Sequence, residues 1–187
     1  MVVRSSSAKT RFVVLHNVYI DRRLTTQPQL YLNVPSDEFP DGHPEDHPFA
    51  GYFLPFPDHD WGRQGEGMVS TICNDPPQLN WIYVDRDTCE VKYGLRIDAE
   101  PHIVGPWDVT KMDRRVLLTG YEGFVAVRYG LGEWALYFDV DDNGLLGVVP
   151  DDMAKVEIEL VRRERRQERT SDGPAEPAEG KAEDADA

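Results

Sequence analysis

The sequence predicts an all-β protein, built as an antiparallel sandwich or a barrel-like meander. Short runs rich in β-branched and aromatic residues alternate with clusters of Gly, Pro, Asn and Asp, a pattern typical of strands separated by turns. The turn signals recur about every 8 to 12 residues, as they do in antiparallel sandwiches and barrels. No segment keeps a helical period over several turns except 152–169, where strand and helix interpretations compete.

The predicted strands follow one another along most of the chain. They are 11–20, 29–34, 51–54, 67–73, 80–85, 90–97, 115–119, 123–129, 133–139, 145–149 and 154–161. Turn-forming residues separate several of them, at 85–88, 120–123, 129–132 and 141–144. In the last of these turns Asn143 and Gly144 accept positive φ values, so we expect a hairpin there.

One domain with two tails accounts for the 187 residues, since a domain spans about 100 to 200 residues. We expect a flexible N-terminus at 1–10, a single β-rich domain at 11–161 and a disordered, charged low-complexity tail at 162–187. The tail has no aromatic and no large aliphatic residue. It therefore cannot bury enough surface to offset its chain entropy.

The charge of the chain argues against two classes of partner. There are 20 Lys and Arg residues against 34 Asp and Glu residues, which gives a net charge of −14. Affinity for nucleic acid depends on Lys and Arg that release counterions from phosphates, and anionic membranes also attract basic segments. We therefore predict no nucleic acid and no membrane as partner, and a basic protein or a small molecule instead.

The cysteine content and the N-terminal sequence predict an intracellular protein. Cys73 and Cys89 are too few for a disulfide framework. The first residues contain no apolar run long enough for a secretory signal, and the chain has no N-glycosylation sequon. We expect a cytoplasmic or nuclear protein that is not secreted.

A weak internal repeat links two parts of the chain. Residues 66–69 (EGMV) recur as 122–125 (EGFV), and the run 81–87 recurs at 134–141. A duplicated meander would explain this similarity, because one copy alone could not bury its apolar face. A chance likeness between two strand–turn–strand patterns is the alternative, and the sequence leaves both open.

The segment 35–62 breaks the strand pattern. It holds six prolines, six aromatic residues, seven acidic residues and three of the five histidines, and no Lys or Arg stands between Arg23 and Arg63. Long ordered loops in compact domains are often functional. The aromatic residues predict that this loop packs onto the domain, and its acids predict an acidic face.

Several stretches of the chain carry a resemblance to known sequences. They are 31–35 (YLNVP), 39–44 (FPDGHP), 49–55 (FAGYFLP), 74–85 and 105–108. In them the chain resembles a group of small uncharacterised proteins of filamentous fungi, over roughly 11–160. No activity, cofactor or active site is established for that group, so the resemblance implies an intracellular setting and no function.

A cluster of His and Asp residues in the loop predicts a divalent-metal site as one alternative. Its members are Asp41, His43, Asp46, His47 and His59. Imidazole and carboxylate are ligands that Zn²⁺, Mn²⁺ and Fe²⁺ prefer, and two His with one carboxylate leave positions open for a substrate. Pro44 and Pro48 argue against a shared helical face, so the ligands would converge through a loop. The competing interpretation is ordinary turn residues on a solvated rim.

A second metal prediction rests on the turn at 139–144. Asp139, Asp141 and Asn143 match the first half of an EF-hand calcium loop, but Pro150 stands where the bidentate Glu belongs. A calcium-loaded hairpin and a bare β-turn are therefore the two interpretations, and the sequence favours the bare turn.

Aromatic residues are the predicted ligand- or partner-binding residues. They are Phe49, Tyr52, Phe53, Trp61, Trp81 and Trp107. Such residues line a cavity for an apolar ligand or form the core of a small β-fold. The sequence favours the core but leaves the cavity open.

The sequence as a whole favours a non-enzymatic interaction or small-ligand-binding domain whose acidic face meets a basic partner. This interpretation rests on a strongly acidic folded part and on the lack of any complete catalytic motif. The alternative is a metal-dependent enzyme, an oxygenase or hydrolase of a small molecule, that uses the His and Asp cluster at 41–60.

Overall fold

The computed structural model describes residues 12–20, 28–32, 47–56, 65–74, 77–129 and 133–163. This part of the chain forms twelve strands and one short helix. The strands are β1 (Phe12–Ile20), β2 (Leu30–Leu32), β3 (His47–Pro55), β4 (Glu66–Asn74), β5 (Pro77–Val84), β6 (Val91–Gly94), β7 (Trp107–Val109), β8 (Val116–Leu118), β9 (Phe124–Tyr129), β10 (Glu133–Phe138), β11 (Lys155–Glu157) and β12 (Arg162–Arg163). The helix α1 (Arg96–Ala99) lies between β6 and β7.

The strands form an antiparallel sheet that curves back on itself. Its main path runs β11-β9-β10-β2-β1-β3-β4-β5-β6. Two single bridges bring its far end back to the middle, because Glu90 pairs with Tyr137 and Gln29 pairs with Lys92. We call the region around these bridges the seam. The predicted all-β, antiparallel, barrel-like fold is thereby confirmed.

Smaller strands extend this sheet. β7 and β8 form a ribbon that joins the sheet where Trp107 pairs with Glu66. β12 pairs with β1 through Arg162 and Arg163, so the sheet continues two residues beyond the predicted end of the domain at 161. The rest of the predicted tail, and all of the predicted flexible N-terminus, lie outside the described residues.

The core is arranged on both faces of β9 and β10. Residues 124–127 and 135–138 are all buried, so these strands carry continuous apolar runs rather than an alternating pattern. Phe124 and Phe138 belong to the largest apolar cluster, which also holds Phe49 and Ile82. Tyr137 lies in the cluster on the opposite face.

Two of the predicted elements are wrong. Residues 145–149 form successive turns instead of a strand, because Gly144, Leu145 and Gly147 have φ values of 75°, 59° and 78°. The turn at 141–144 does not close a hairpin, since β10 does not pair with the strand that comes after it and β11 pairs with β9 instead.

Other predicted elements differ in extent. β3 runs from His47 to Pro55, where the sequence predicted a strand only at 51–54 within a long loop at 35–62. The strand predicted at 90–97 ends at Gly94, because the carboxylate of Asp98 accepts the backbone N–H of Leu95 at 3.0 Å and starts α1. Strand β7 was not predicted. In 152–169 the described residues are β-strand and irregular backbone, which decides against a helix as far as Arg163.

The two copies of the predicted repeat both form antiparallel hairpins. β4 pairs with β5 in one copy, and β9 pairs with β10 in the other. Met68 lies opposite Ile82, and Phe124 lies opposite Phe138. A true duplication stays a prediction.

Candidate functional site

An open cleft of about 400 Å³ lies where several strand ends meet. Its lining comes from the turn after β5, the segment between α1 and β7, the turn after β8 and the end of β10. The lining residues are Arg86, Glu100, His102, Ile103, Val104, Gly105, Thr119, Phe138 and Val140. Sites for small molecules span about 300 to 1,000 Å³, so this cleft has the size of a ligand site.

The floor of the cleft is apolar and firmly packed. Phe138 is 1% exposed and Val104 is 5% exposed. Phe138 also packs against Phe124 in the core, with 5.1 Å between the ring centroids. Ile103 exchanges two backbone hydrogen bonds with Val84, at 2.9 and 3.0 Å. Phe138 and Val104 are therefore part of the core, and the apolar surface that the cleft leaves to a ligand comes from half-buried Ile103 and from Val140, which is 36% exposed.

Arg86 and His102 are fixed to each other at the rim. The backbone N–H of Arg86 donates to Nδ1 of His102 at 3.3 Å. The guanidinium donates from Nε to the Pro101 carbonyl at 2.9 Å and from Nη2 to the His102 carbonyl at 3.5 Å. Because Nδ1 accepts this hydrogen bond, Nε2 is the ring nitrogen that can donate to a ligand. These bonds use only part of the N–H groups of Arg86.

The ring of His102 is also held from one side. It stacks on Tyr83, with 5.1 Å between the centroids and 9° between the ring planes. Burial raises the pKa of the Tyr83 hydroxyl, although Lys92 acts in the opposite direction. The phenol is therefore neutral at physiological pH, and the imidazole is oriented by stacking as well as by a hydrogen bond.

Unusual backbone conformations shape the wall of the cleft. Gly105 has a φ of +157°, and a Cβ there would lie 3.0 Å from the Glu66 carbonyl oxygen and 3.1 Å from the ring of Phe56. Thr119 has a φ of 54°, and its N–H donates to the Pro106 carbonyl at 2.9 Å. Residues other than Gly rarely adopt positive φ, and such strain concentrates at functional sites.

The structure separates the aromatic residues that the sequence predicted for binding. Phe49, Trp81 and Trp107 are 0%, 5% and 4% exposed, so core packing takes up their surface. Tyr52 and Phe53 are half buried, and Phe53 lines a second, smaller cleft of about 210 Å³. None of these residues lines the larger cleft.

Four of the five residues of the predicted His and Asp cluster lie outside the described residues. They are Asp41, His43, Asp46 and His59, and the aromatic Trp61 lies outside them too. His47 starts β3, where its backbone pairs with Ile20. Within the described ranges, no group of three or more His, Cys, Asp or Glu side chains is arranged to hold a metal ion. The metal-dependent enzyme stays a prediction.

The carboxylate of Asp139 is used inside its own loop. Its Oδ1 accepts the N–H of Asn143 at 3.2 Å, and its Oδ2 accepts the N–H of Gly144 at 2.6 Å. Oδ1 of Asn143 accepts the N–H of Leu146 at 2.9 Å. These bonds close the loop without a cation, and the use of Asp139, Asp141 and Asn143 for calcium stays a prediction.

Sequence reasoning missed the polar residues of the cleft. Arg86 lies in the turn predicted at 85–88, but no motif connects it to Glu100, His102 or Thr119. Arg86 and His102 are brought together only by the fold. The available signal was a pair of prolines, Pro101 and Pro106, which flank His102 and mark a shaped connection between two strands.

A family model described as a fungal β-trefoil domain matches residues 3–166. The chain belongs to this family. The resemblance to fungal proteins is thereby confirmed, and the β-trefoil domain agrees with the all-β, barrel-like fold. Comparisons with curated proteins and with solved structures found no match.

Membership of the β-trefoil family bears on the kind of function. β-trefoil domains are often binding domains without enzymatic activity. The sequence predicted a domain of this general kind. The described residues include no helix of the length and hydropathy that a bilayer crossing requires. The intracellular location stays a prediction.

Proposed function

We propose that this fungal β-trefoil domain is a non-enzymatic binding domain, and that the cleft beside Arg86 and His102 holds a small ligand. One observation carries the proposal. The cleft joins the partly exposed apolar side chains of Ile103 and Val140 to hydrogen-bond donors that are already fixed at its rim. Small-molecule sites combine these two features.

The lining indicates the chemistry of the ligand. The guanidinium of Arg86 and the Nε2–H of His102 are donors, and the hydroxyl of Thr119 can also donate. They favour a carbonyl or carboxylate group on the ligand. The floor favours an aliphatic or aromatic body next to that group, because burial of apolar surface is favourable.

The contacts of His102 support its role as a hydrogen-bond donor to the ligand. Its Nδ1 accepts the backbone N–H of Arg86, and its ring is stacked on Tyr83. The imidazole is therefore held as an oriented donor. Side chains that are fixed before binding lose little conformational freedom when a ligand arrives, which increases affinity.

Native mass spectrometry of the purified protein is the first test, since a retained small molecule adds to the mass. The second is an amide NMR titration with benzoate, which has an apolar body and a carboxylate. Acetate lacks the apolar body, and benzyl alcohol lacks the carboxylate. We expect benzoate to shift the amides of Arg86, His102 and Val140 more than either control compound does.

Two variants assign the binding to this cleft. Arg86→Met removes the guanidinium, and His102→Phe keeps a stacking ring without the donor. Each should weaken benzoate binding about tenfold, which is the loss expected for one charge-assisted hydrogen bond. Arg114→Met is the matched control, because Arg114 lines the smaller cleft. A mass without any adduct, together with cleft amides that do not respond to benzoate, would overturn the proposal.

A further inference from the structure

The loop between β10 and β11, residues 139–153, is attached to the core at two points. Leu145 is 1% exposed and Val149 is 5% exposed, and both lie in the cluster that contains Tyr137. The N–H groups of Val148 and Val149 both donate to the Leu145 carbonyl, at 3.1 Å. With the two hydrogen bonds to Asp139, these contacts give the loop one defined shape.

The same loop presents apolar side chains to solvent. Leu146 is 66% exposed, Val148 is 38% exposed and Val140 is 36% exposed. Leu146 and Val148 lie between the two buried anchors, so the anchors hold them at the surface. Exposed aliphatic groups that are fixed in this way form a favourable contact area for another apolar surface.

Acidic side chains accompany these apolar groups. Asp141, Asp142, Asp151 and Asp152 are all exposed. No Lys or Arg occurs between Arg128 and Lys155. These two residues stand at the base of the loop, where Lys155 pairs with Val127 and the N–H of Arg128 donates to the Ala154 carbonyl at 2.9 Å. The outer part of the loop therefore carries negative charge without a cation of its own.

We propose that loop 139–153 is a docking surface for a basic segment of a partner protein that also carries large apolar side chains. The apolar partner groups would cover Leu146 and Val148. Lys or Arg residues beside them would face the four exposed aspartates, and complementary charge of this kind raises the association rate and excludes wrong partners. This surface is additional to the ligand cleft, although Val140 belongs to both.

The test uses synthetic peptides and the full chain. The probe is a peptide in which Leu and Arg alternate with Ser. One control peptide has Ser in place of Leu, and a second has Gln in place of Arg. Fluorescence anisotropy measures the affinities, and amide NMR locates the contact. We expect the probe to bind at least about tenfold more tightly than the peptide without Leu, as burial of one Leu side chain predicts. It should also bind more tightly than the peptide without Arg, because that peptide lacks charge complementary to the aspartates. The probe should shift the amides of Leu146 and Val148.

Variants of the loop separate the contribution of its exposed apolar side chains from the contribution of its acidic side chains. Leu146→Ser should weaken binding of the probe about tenfold and leave the peptide without Leu unaffected. The pair Asp141→Asn and Asp142→Asn should weaken every peptide that contains Arg. The pair Asp87→Asn and Glu133→Gln removes the same charge elsewhere and should change little. Met112→Ser is the apolar control, since Met112 is 90% exposed on another turn.

Three results would overturn the proposal. The first is a probe that binds no better than the peptide without Leu, because attraction to an acidic protein would then explain the binding. The second is that the loop variants bind the probe peptide as tightly as the wild type does. The third is self-association in sedimentation that Leu146→Ser abolishes, because a second copy would then occupy the loop. If the cleft is a separate site, Leu146→Ser binds benzoate as tightly as the wild type does, whichever of these results is obtained.

Discussion

Two aspartates end two strands of the sheet, and they organise the next residues of the chain in different ways. Oδ1 of Asp85, after β5, accepts the N–H groups of Asp87 and Thr88 at 3.0 and 3.1 Å. Asp139, after β10, uses both of its oxygens for backbone N–H groups of its own loop. Both carboxylates therefore replace the backbone partners that a strand would have supplied.

The difference lies in what surrounds each carboxylate. Oδ2 of Asp85 contacts the Lys92 ammonium at 2.9 Å, and the same ammonium contacts Glu90 at 2.8 Å. Asp139 is only 7% exposed and sits in a loop that is anchored by buried Leu145. The turn after β5 thus depends on charge pairs at the seam, whereas the loop after β10 depends on apolar burial and two hydrogen bonds. Substitutions that remove buried apolar side chains should destabilise the loop. A change of pH should alter the stability of the turn.

Replacement of the apolar anchor should have the largest effect. Leu145→Ala leaves a cavity at a site that is 1% exposed, which costs about 3 kcal/mol of unfolding free energy. Urea denaturation measures this loss. Leu146→Ala is the matched control, because Leu146 is 66% exposed and its loss should stay within about 0.5 kcal/mol. Equal effects of the two changes would mean that the loop is not anchored in the core.

Removal of the buried Asp139 carboxylate, which caps the loop, should have the next largest effect on unfolding free energy. Asp139→Ala leaves the N–H groups of Asn143 and Gly144 without their carboxylate acceptor, so we expect a loss of about 2 to 3 kcal/mol in unfolding free energy. Asp139→Asn keeps one acceptor oxygen and should lose less. Asp141→Ala removes an exposed acid from the same loop and is the control. If Asp139→Ala and Asp141→Ala unfold at the same urea concentration, the cap does not stabilise the loop.

The turn after β5 should respond to acid. Burial alone would raise the pKa of Asp85, but the Lys92 ammonium and the N–H groups of Asp87 and Thr88 outweigh it and lower that pKa from 3.8 to about 2. Because the unfolded chain takes up the proton first, the contribution of Asp85 is complete above about pH 4. It is lost as the pH falls towards 2, by up to about 2 kcal/mol.

Urea denaturation between pH 7 and pH 2.5 tests this dependence on the full chain. Asp85→Asn should be less stable than the wild type at pH 7, and the gap should narrow as the pH falls. Glu157→Gln removes an exposed carboxylate from β11 and should keep a constant, small difference. A gap between wild type and Asp85→Asn that does not change with pH would contradict the role of the ion pair.

The sequence predicted the turn after β5 and failed on the loop after β10, for a physical reason. Asp85 is followed by turn residues between two clear strands, so local chemistry was sufficient. Residues 145–149 (LLGVV) are rich in strand-forming types, but Gly144, Gly147 and the positive φ of Leu145 make them a loop. The composition of such a segment does not show that only Leu145 and Val149, four residues apart, are buried in the core.

The candidate cleft could not be predicted, because its polar groups meet only after folding. Arg86 reaches Pro101 and His102 across a turn, a strand and a helix. The sequence predicts buried Trp81 and Trp107 as binding residues instead, since large aromatic residues suit both a core and a ligand site. Only tertiary structure distinguishes those two roles.

Replacement of Lys92, the cation that contacts Asp85, should have the smallest effect on unfolding free energy. Glu90 and Asp85 outweigh burial and raise the pKa of Lys92, so its ammonium is stabilised by both carboxylates. Lys92→Met leaves these carboxylates facing each other without a cation, which we expect to cost about 1 kcal/mol of unfolding free energy at pH 7.

The same change should bring the pKa of Asp85 back up and reduce the acid dependence of unfolding. The wild type and Lys92→Met should therefore converge in stability near pH 2.5, while Lys155→Met should not show this convergence. A loss that is equal at both pH values would mean that Lys92 stabilises the seam through packing of its methylene groups and not through charge.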